Sequence, residues 1–464
     1  MRSPILVFLV PKFHLGTPPA PLSRSQISFG NASCPSRSFT SRQSSPHAPQ
    51  IILCLLALLL PLSTHAQTTA APPPALPVIP NKTFSVVDYG AVGDGKTLDT
   101  AALQKAIDAV AAAGGGTLVL PPGKFLTGPL ILTSNLNLHL AKDAVLLISD
   151  NLATYPTDSH GYQSSLTASH AHDLEISGQG AIDGQGAAWW KAFEADKAMT
   201  HRPYLIKFER CQRVEITGVT LLNSPMFHLV PYRCTDVTIQ GITITAPATA
   251  HNTDGIDPSG SNYLIDGCTI DTGDDNIAVK PSGAEENQNI TITHCDFRHG
   301  HGLSIGSGSE GGLDNLRVSD CTFEGTTAGI RIKTSRGHGG LIQNVTYDRL
   351  TMTGVQNPIE IVDYYPKTPA TPTADPAQPV TPLTPRFASI SIKNLISAKS
   401  PNAGTIWGLP EMPISGITFT NVRISAALGM KIIHARDIQF SGSDIKADSG
   451  EKLILSDAQA TGLN

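Results

Sequence analysis

The sequence predicts an all-β fold, a right-handed, single-stranded parallel β-helix with a short N-terminal capping helix, and two interleaved repeats carry that expectation. The first is an apolar pair, Ile277-x-Val279, Leu303-x-Ile305, Ile330-x-Ile332 and Ile359-x-Ile361, which recurs at steps of 26, 27 and 29 residues and is extended backward by 21 at Ile256. The second is an apolar anchor just after an Asn, Asp or Arg, at Val214, Val237, Tyr263, Ile290, Leu316 and Val345, with steps of 23, 26, 27, 26 and 29. A unit this short cannot bury its own apolar face, so it must stack on its neighbours. Fragments such as Ile290-Thr291-Ile292-Thr293 and Leu316-Arg317-Val318-Ser319 alternate apolar and polar residues and read as strands, with Gly, Asn and Asp between them reading as turns. Each repeat then holds at least two strands, and stacking in register puts rungs about 4.8 Å apart with right-handed crossovers. The Leu-x-x-Leu-x-Leu pattern of leucine-rich repeats and the longer unit of propeller blades are absent from the sequence.

From the N-terminus, residues 1–50 are rich in Ser, Pro and Arg without periodicity, and residues 51–62 form a 12-residue apolar run followed by Thr64-His65-Ala66. That run reads as a secretory h-region with its cleavage signal, too short to span a bilayer. Residues 1–66 are therefore expected to be a leader, in which 1–50 are either part of an unusually long leader or translated sequence upstream of the true start. Residues 67–82, with Pro72-Pro73-Pro74, read as an extended spacer, and the β-helix domain is expected to occupy 83–464. Within it, Ala102, Leu103, Ala106, Ile107 and Val110 stand at helical spacing between Asp99 or Thr100, either able to cap the start, and Gly114-Gly115-Gly116 at the end. A helix there would cover the open first rung, an edge that otherwise invites aggregation. Residues 366–385 are rich in Pro and Thr and stretch the step from Val345 to the next anchor, Ile390, to 45 residues. This insertion reads either as an extended loop beside the cleft or as a disordered surface insertion.

Composition excludes some partners. Without residues 1–66 the chain loses five basic residues and no acidic ones, leaving 28 basic against 38 acidic and a net charge of −10. Nucleic acid is not an expected partner, since affinity there comes mainly from phosphate neutralisation. Beyond the leader remain Cys211, Cys234, Cys268, Cys295 and Cys321, an odd number in an exported chain. Cys268, Cys295 and Cys321 share one phase, five residues after the anchors at 263, 290 and 316, and read as small residues stacked in the interior, with a disulfide as the alternative. No Cys-x-x-Cys or His-rich spacing points to a metal.

Four segments carry the candidate chemistry: Asn252-Thr253-Asp254-Gly255-Ile256-Asp257, Asp274-Asp275-Asn276, Gly300-His301-Gly302 and Arg331-Ile332-Lys333. Asp254, Asp275 and His301 each stand two residues before the first apolar member of their repeat, so stacking makes them a column. Breaking a glycosidic bond needs one carboxyl to protonate the leaving oxygen and another to activate water or attack the sugar, and three acids on adjacent coils supply them. Like charges this close raise at least one pKa and couple the titrations. Arg331 and Lys333, two residues apart on a strand, share a face while Ile332 points into the core, a grip suited to an acidic sugar. Strict alternation would send the acid column inward, whereas Gly255, Asn276 and Gly302 suggest a chain still turning, and the direction stays open at this level.

These segments together resemble polygalacturonases of glycoside hydrolase family 28, over roughly residues 83–440 and with all four signatures in order. The resemblance implies a β-helix that hydrolyses α-1,4-linked galacturonan in pectin with inversion, without metal or other cofactor. By motif position it implies that Asp274 is the general acid, that Asp254 and Asp275 orient and activate water, and that Asn252 supports that pair. His301 would tune the acid or contact the sugar, Arg331 and Lys333 would bind the galacturonate carboxylate, and Tyr365, with Tyr364 the weaker alternative, matches the family's later tyrosine. Arg336 and His338, just past the cationic strand, read as ordinary loop residues, with a further subsite contact as the alternative. A secreted monomer, extracellular or periplasmic and free of the membrane, is the corresponding expectation. Other readings are a hydrolase of rhamnogalacturonan or xylogalacturonan, a pectate lyase using Ca²⁺ and an Arg base, and a β-helix that only binds polysaccharide.

Overall fold

The computed structural model describes residues 72–463 apart from 159, 160, 200, 284 and 286. The expected signal segment, its cleavage site and the first part of the spacer lie outside the described residues.

Successive coils place three short strands on three stacked parallel faces. On the first face the register runs Tyr263↔Ile290↔Leu316↔Val345↔Ile390, pairing the predicted anchors with one another across the 45-residue step as well. On the second, Ile270, Phe297, Phe323 and Met352 line up. The third face carries the other repeat, Ile277↔Leu303↔Ile330↔Ile359, in strands Ile277–Val279, Leu303–Gly306, Ala328–Lys333 and Asn357–Val362. Bridges from Leu229 to Ile256 and from Ile256 to Ile277 join it to the strands before it. Inward members of all three faces are buried and form one continuous core.

The residue before each anchor turns the corner in the left-handed region: φ is 53° at Arg213, 55° at Asp236, 62° at Asn262, 57° at Asn289, 58° at Asn315 and 55° at Asn344. Asn and Asp tolerate that conformation best among residues with a side chain, which explains their recurrence there. Their side chains also link the rungs: Asn315 Nδ2 donates to Asn289 Oδ1 at 2.7 Å, and Arg213 forks onto Asp173 at 2.8 and 2.6 Å. Inside the coil Cys268, Cys295 and Cys321 are free and buried, as are Cys211 and Cys234.

Helix α1 (Thr100–Ala112) buries Leu103, Ala106, Ile107 and Val110, and Gly115 N–H closes its end on the Val110 carbonyl at 2.9 Å. Gln104 ties it to the first coils through two hydrogen bonds with the Ile131 backbone. The expected cap is not made. Asp99 turns back to accept from the Val92 and Gly93 amides at 2.8 and 3.0 Å, and Thr100 Oγ1 accepts from Gly128 N–H at 2.7 Å, so both side chains fasten α1 to its neighbours instead. A second helix, α2 (Ala187–Ala195), buries Trp189 between Tyr155 and Tyr162.

The described part of the spacer does not precede the fold but lies along it. Val78 N–H reaches Asp173 Oδ1 at 2.9 Å, Ala75 N–H reaches Asp236 Oδ1 at 3.3 Å, and Pro72–Pro74 flank Asn262 and Asn289, so the strap follows the corner ladder across several rungs. The Pro/Thr-rich insertion carries no strand over 366–385 and is held by contacts from Tyr364 Oη to Asp375 at 2.8 Å, Arg336 Nη1 to Asp375 at 2.6 Å, His434 Nε2 to the Pro372 carbonyl at 3.1 Å, and the Gly337 and Gly339 amides to the Leu383 carbonyl at 3.2 and 3.0 Å. Arg336 also forks onto Glu411 at 2.5 and 2.8 Å, so it joins His434 in tying the insertion to the following coils.

Candidate active site

The site begins where the third face begins. Gly255 N–H bonds the Asp275 carbonyl at 2.9 Å and Asn276 N–H bonds the Gly302 carbonyl at 3.0 Å, so Asp254, Asp275 and His301 stand on consecutive rungs as their common phase requires. Their direction is settled by a slip in alternation: Asn276 and Ile277 are both fully buried. The Asn276 amide turns inward, donating to the Ile270 carbonyl at 3.0 Å and accepting from Gly302 N–H at 2.9 Å, and this frees Asp275 to face outward. Close approach dictates the glycines. A Cβ on Gly255 would lie 2.4 Å from the Asn276 carbonyl, and one on Gly302, where φ is 75°, 2.0 Å from the Ala328 carbonyl.

Asp275 is nearly buried and meets Lys333 Nζ at 2.5 Å, Arg331 Nη1 at 3.2 Å and Ser304 Oγ at 2.9 Å. Arg331 and Lys333 share the outer face as predicted, with Ile332 buried between them. Tyr365, 36% exposed, sets its ring 5.2 Å from Lys333 Nζ and 5.9 Å from the Arg331 guanidinium carbon, while Tyr364 packs against Trp407 and bonds Asp375. Tyr365 is thus the tyrosine that accompanies the cations.

Asp274 takes His301 Nδ1 at 3.0 Å. Burial alone would raise its pKa, but that hydrogen bond and the positive charges of His301 and Lys333 outweigh burial and hold the carboxyl at about 2. Asn252 presents its backbone N–H to Asp274 at 3.3 Å, rather than serving the Asp254–Asp275 pair, and its side-chain oxygen accepts from Arg202 at 2.7 Å. Asp254 behaves oppositely. Burial pushes it well above the usual carboxylate range, Lys280 opposes the rise, and Asp257, Asp274 and Asp275 add to it.

Several residues that sequence reasoning left unassigned belong to this cluster. Lys280 Nζ lies 3.0 Å from Asp254 Oδ2 with hydrogen-bond geometry and 3.0 Å from Asp257 Oδ2 as an ion pair away from the hydrogen-bond direction. Its phase offered a signal, because Val279 and Ile332 align through Ile305 and so Lys280 follows the repeat as Lys333 does. His228, fully buried and pushed down to about 4 by burial, stays neutral; Ser224 N–H donates to its Nε2 at 3.3 Å, so its Nδ1 proton goes to the Asp254 carbonyl at 3.0 Å. No sequence period announces that contact.

Donor atoms of Asp274, Asp275 and His301 lie within 4.8 Å of one another, close enough for a cation. Lys333 and Arg331 already bring two positive charges against Asp275, so that carboxylate has its counter-charge from within the protein.

Paired carboxylates from neighbouring rungs, an imidazole and two cations on one outer face of a parallel β-helix define a glycoside hydrolase. The chain belongs to glycosyl hydrolases family 28, whose model matches residues 115–441. A model for the rhamnogalacturonase A/epimerase, pectate lyase-like group matches residues 83–144. Relatives include a probable polygalacturonase of Vitis vinifera, 34% identical over 75% of both chains, and an exopolygalacturonase of Zea mays, 32% identical over 74% of this chain and 84% of its own. Among solved structures, a polygalacturonase from Erwinia carotovora ssp. carotovora is 29% identical with a TM-score of 0.68, covering 80% of this chain and 99% of its own. An exopolygalacturonase from Thermotoga maritima is 25% identical with a TM-score of 0.65, covering 80% and 94%.

Proposed function

We propose that this protein is an exported, monomeric polygalacturonase that hydrolyses α-1,4-galacturonosidic linkages of pectin with inversion. The observation that carries the reading is the juxtaposition of the Asp274–His301 pair with the Asp275–Lys333–Arg331 cluster on the next position of the same face. Arg331, Lys333 and Tyr365 receive a galacturonate carboxylate and ring. Because Asp274 by itself stays ionised in the free protein, the proton sent to the leaving oxygen is one shared across its 3.0 Å contact with His301, the pair acting as the acid. Asp254 and Asp275 orient and deprotonate the attacking water. Among the described residues no helix is long and apolar enough to cross a membrane, and the 12-residue apolar run at 51–62 supports export.

The test is digestion of polygalacturonate in excess chelator by the wild type and Asp274→Asn. Hydrolysis gives reducing ends without ultraviolet-absorbing unsaturated products, with turnover in the variant lower by about 10²–10⁴-fold. Absorbing, chelator-sensitive products would assign a lyase, and unchanged turnover in Asp274→Asn would place the chemistry elsewhere.

A further inference from the structure

The outer face carrying the acids continues toward the N-terminal coils. Leu205 N–H bonds the Phe227 carbonyl at 3.0 Å and His228 N–H bonds the Asp254 carbonyl at 2.8 Å, so Tyr204, Phe227, Asp254, Asp275 and His301 occupy one column. Tyr204 and Phe227 stack with ring centroids 5.0 Å apart and planes 5° from parallel. Lys280 Nζ sits 4.3 Å from the Phe227 centroid, so it meets an aromatic ring as well as the carboxylates of Asp254 and Asp257, each 3.0 Å away. The aromatic contact comes from the segment before Leu229 and both carboxylates from the 252–257 segment, and together they leave the ammonium little freedom to move toward a ligand.

We infer that Lys280 is a positioning residue for the hydrolysis proposed above: held by Phe227 and Asp257, it favours the charged form of the Asp254 carboxylate and aims it at the water it must activate. The inference rests on that functional reading for its meaning in catalysis, but its electrostatic part does not need substrate. A cation 3.0 Å away favours the charged form of a carboxylate that burial disfavours. The balance is sharp here, because Asp254 also faces Asp274 and Asp275 from the next rung and Asp257 from its own segment. Lys280 itself faces Asp254, Asp257 and Asp275, and the groove of about 270 Å³ that it borders is also lined by Tyr204 and Lys207. Phe227 and Tyr204 contribute no charge of their own as neutral rings, so Lys280 is the cation placed directly on Asp254. Asp257, raised to about 6 by burial against the opposing charge of Lys280, is the second carboxylate on the same ammonium. A general base works only while ionised, so whatever raises Asp254 moves the acid limb of activity upward.

The experiment compares wild type, Lys280→Met and Lys280→Arg on polygalacturonate across pH. In Lys280→Met the acid limb of kcat/KM is expected to move up by about 1–3 pH units, with kcat falling and KM nearly unchanged, while Lys280→Arg returns the limb toward the wild-type position. Loss confined to KM, with the acid limb in place, would make Lys280 a substrate ligand and overturn the inference. If Lys280→Met does not fold, the double variant Lys280→Met/Asp257→Asn relieves one unpaired acid and carries the same readout. A substrate-free arm, ¹³C-carboxylate NMR of Asp254 in wild type and variant, separates this claim from the functional reading. A higher Asp254 midpoint in Lys280→Met supports the positioning role even for a protein inactive on polygalacturonate, and an unmoved midpoint refutes it.

Discussion

Asp363 stands one residue beyond the strand that follows the cation rung, 1% exposed, with neither carboxylate oxygen hydrogen-bonded in the structure. Burial raises it well above the usual carboxylate range, and Arg336 offsets only part of that rise. The folded chain therefore holds a proton that the unfolded chain releases near pH 4. A raised folded pKa contributes stability that is complete below the unfolded value and is lost as pH climbs toward the folded one, at about 1.4 kcal/mol per unit for one proton. Asp363→Asn removes this dependence, so its advantage over wild type in urea-unfolding free energy should grow steadily from about pH 4 upward. A difference that stays level with pH would show Asp363 already ionised and satisfied. Nothing in Ile361-Val362-Asp363-Tyr364-Tyr365 distinguishes this buried acid from a turn residue, because its environment comes from Trp407, Arg336 and Glu411, all distant in sequence.

At the scale of an element, the corner ladder is the device that lets short strands repeat. Asn315 at φ 58° both tolerates the left-handed conformation and donates to Asn289 on the preceding rung. Asn315→Ala loses that hydrogen bond and the one its Oδ1 accepts from Arg317 Nε at 3.1 Å, about 0.5–1.5 kcal/mol each, and also takes on about 1–2 kcal/mol of left-handed strain. Asn315→Gly loses the same hydrogen bonds without that strain. Denaturant unfolding should therefore rank wild type, Asn315→Gly and Asn315→Ala in falling stability, and equal losses in the two variants would show that conformation plays no part. The ladder was legible beforehand, since each anchor follows an Asn, Asp or Arg, and the reason is now the dihedral angle. The capping side chain of α1 was not legible. Asp99 and Thr100 have the right chemistry for a cap, but amides of Val92, Gly93 and Gly128 reach them across the packed first coils.

Across the whole molecule, a stack of parallel rungs has ends, and the N-terminal end depends on α1. Val110 is fully buried in that interface while Lys105 is exposed on the opposite side of the helix. Val110→Asp should lower the melting temperature and raise light scattering on heating, as the uncovered first strands seek partners, whereas Lys105→Glu should do neither. Scattering unchanged in Val110→Asp would mean that α1 is not what protects the edge. The sequence by itself determined the rung register and hence the meeting of Asp254, Asp275 and His301, because residues of equal phase in a stacked repeat have nowhere else to pair. It also set Arg331 and Lys333 on a shared face, a direct result of strand alternation around Ile332. Tertiary structure alone decided which way the acid column points, through the inward turn of the Asn276 amide. It also lowered Asp274 and raised Asp254, drew Lys280 onto Asp254, Asp257 and Phe227, and laid the Pro72–Pro74 strap along the coil. Periodicity specifies phase along the chain, whereas burial and charge at a point are summed over every coil that surrounds it.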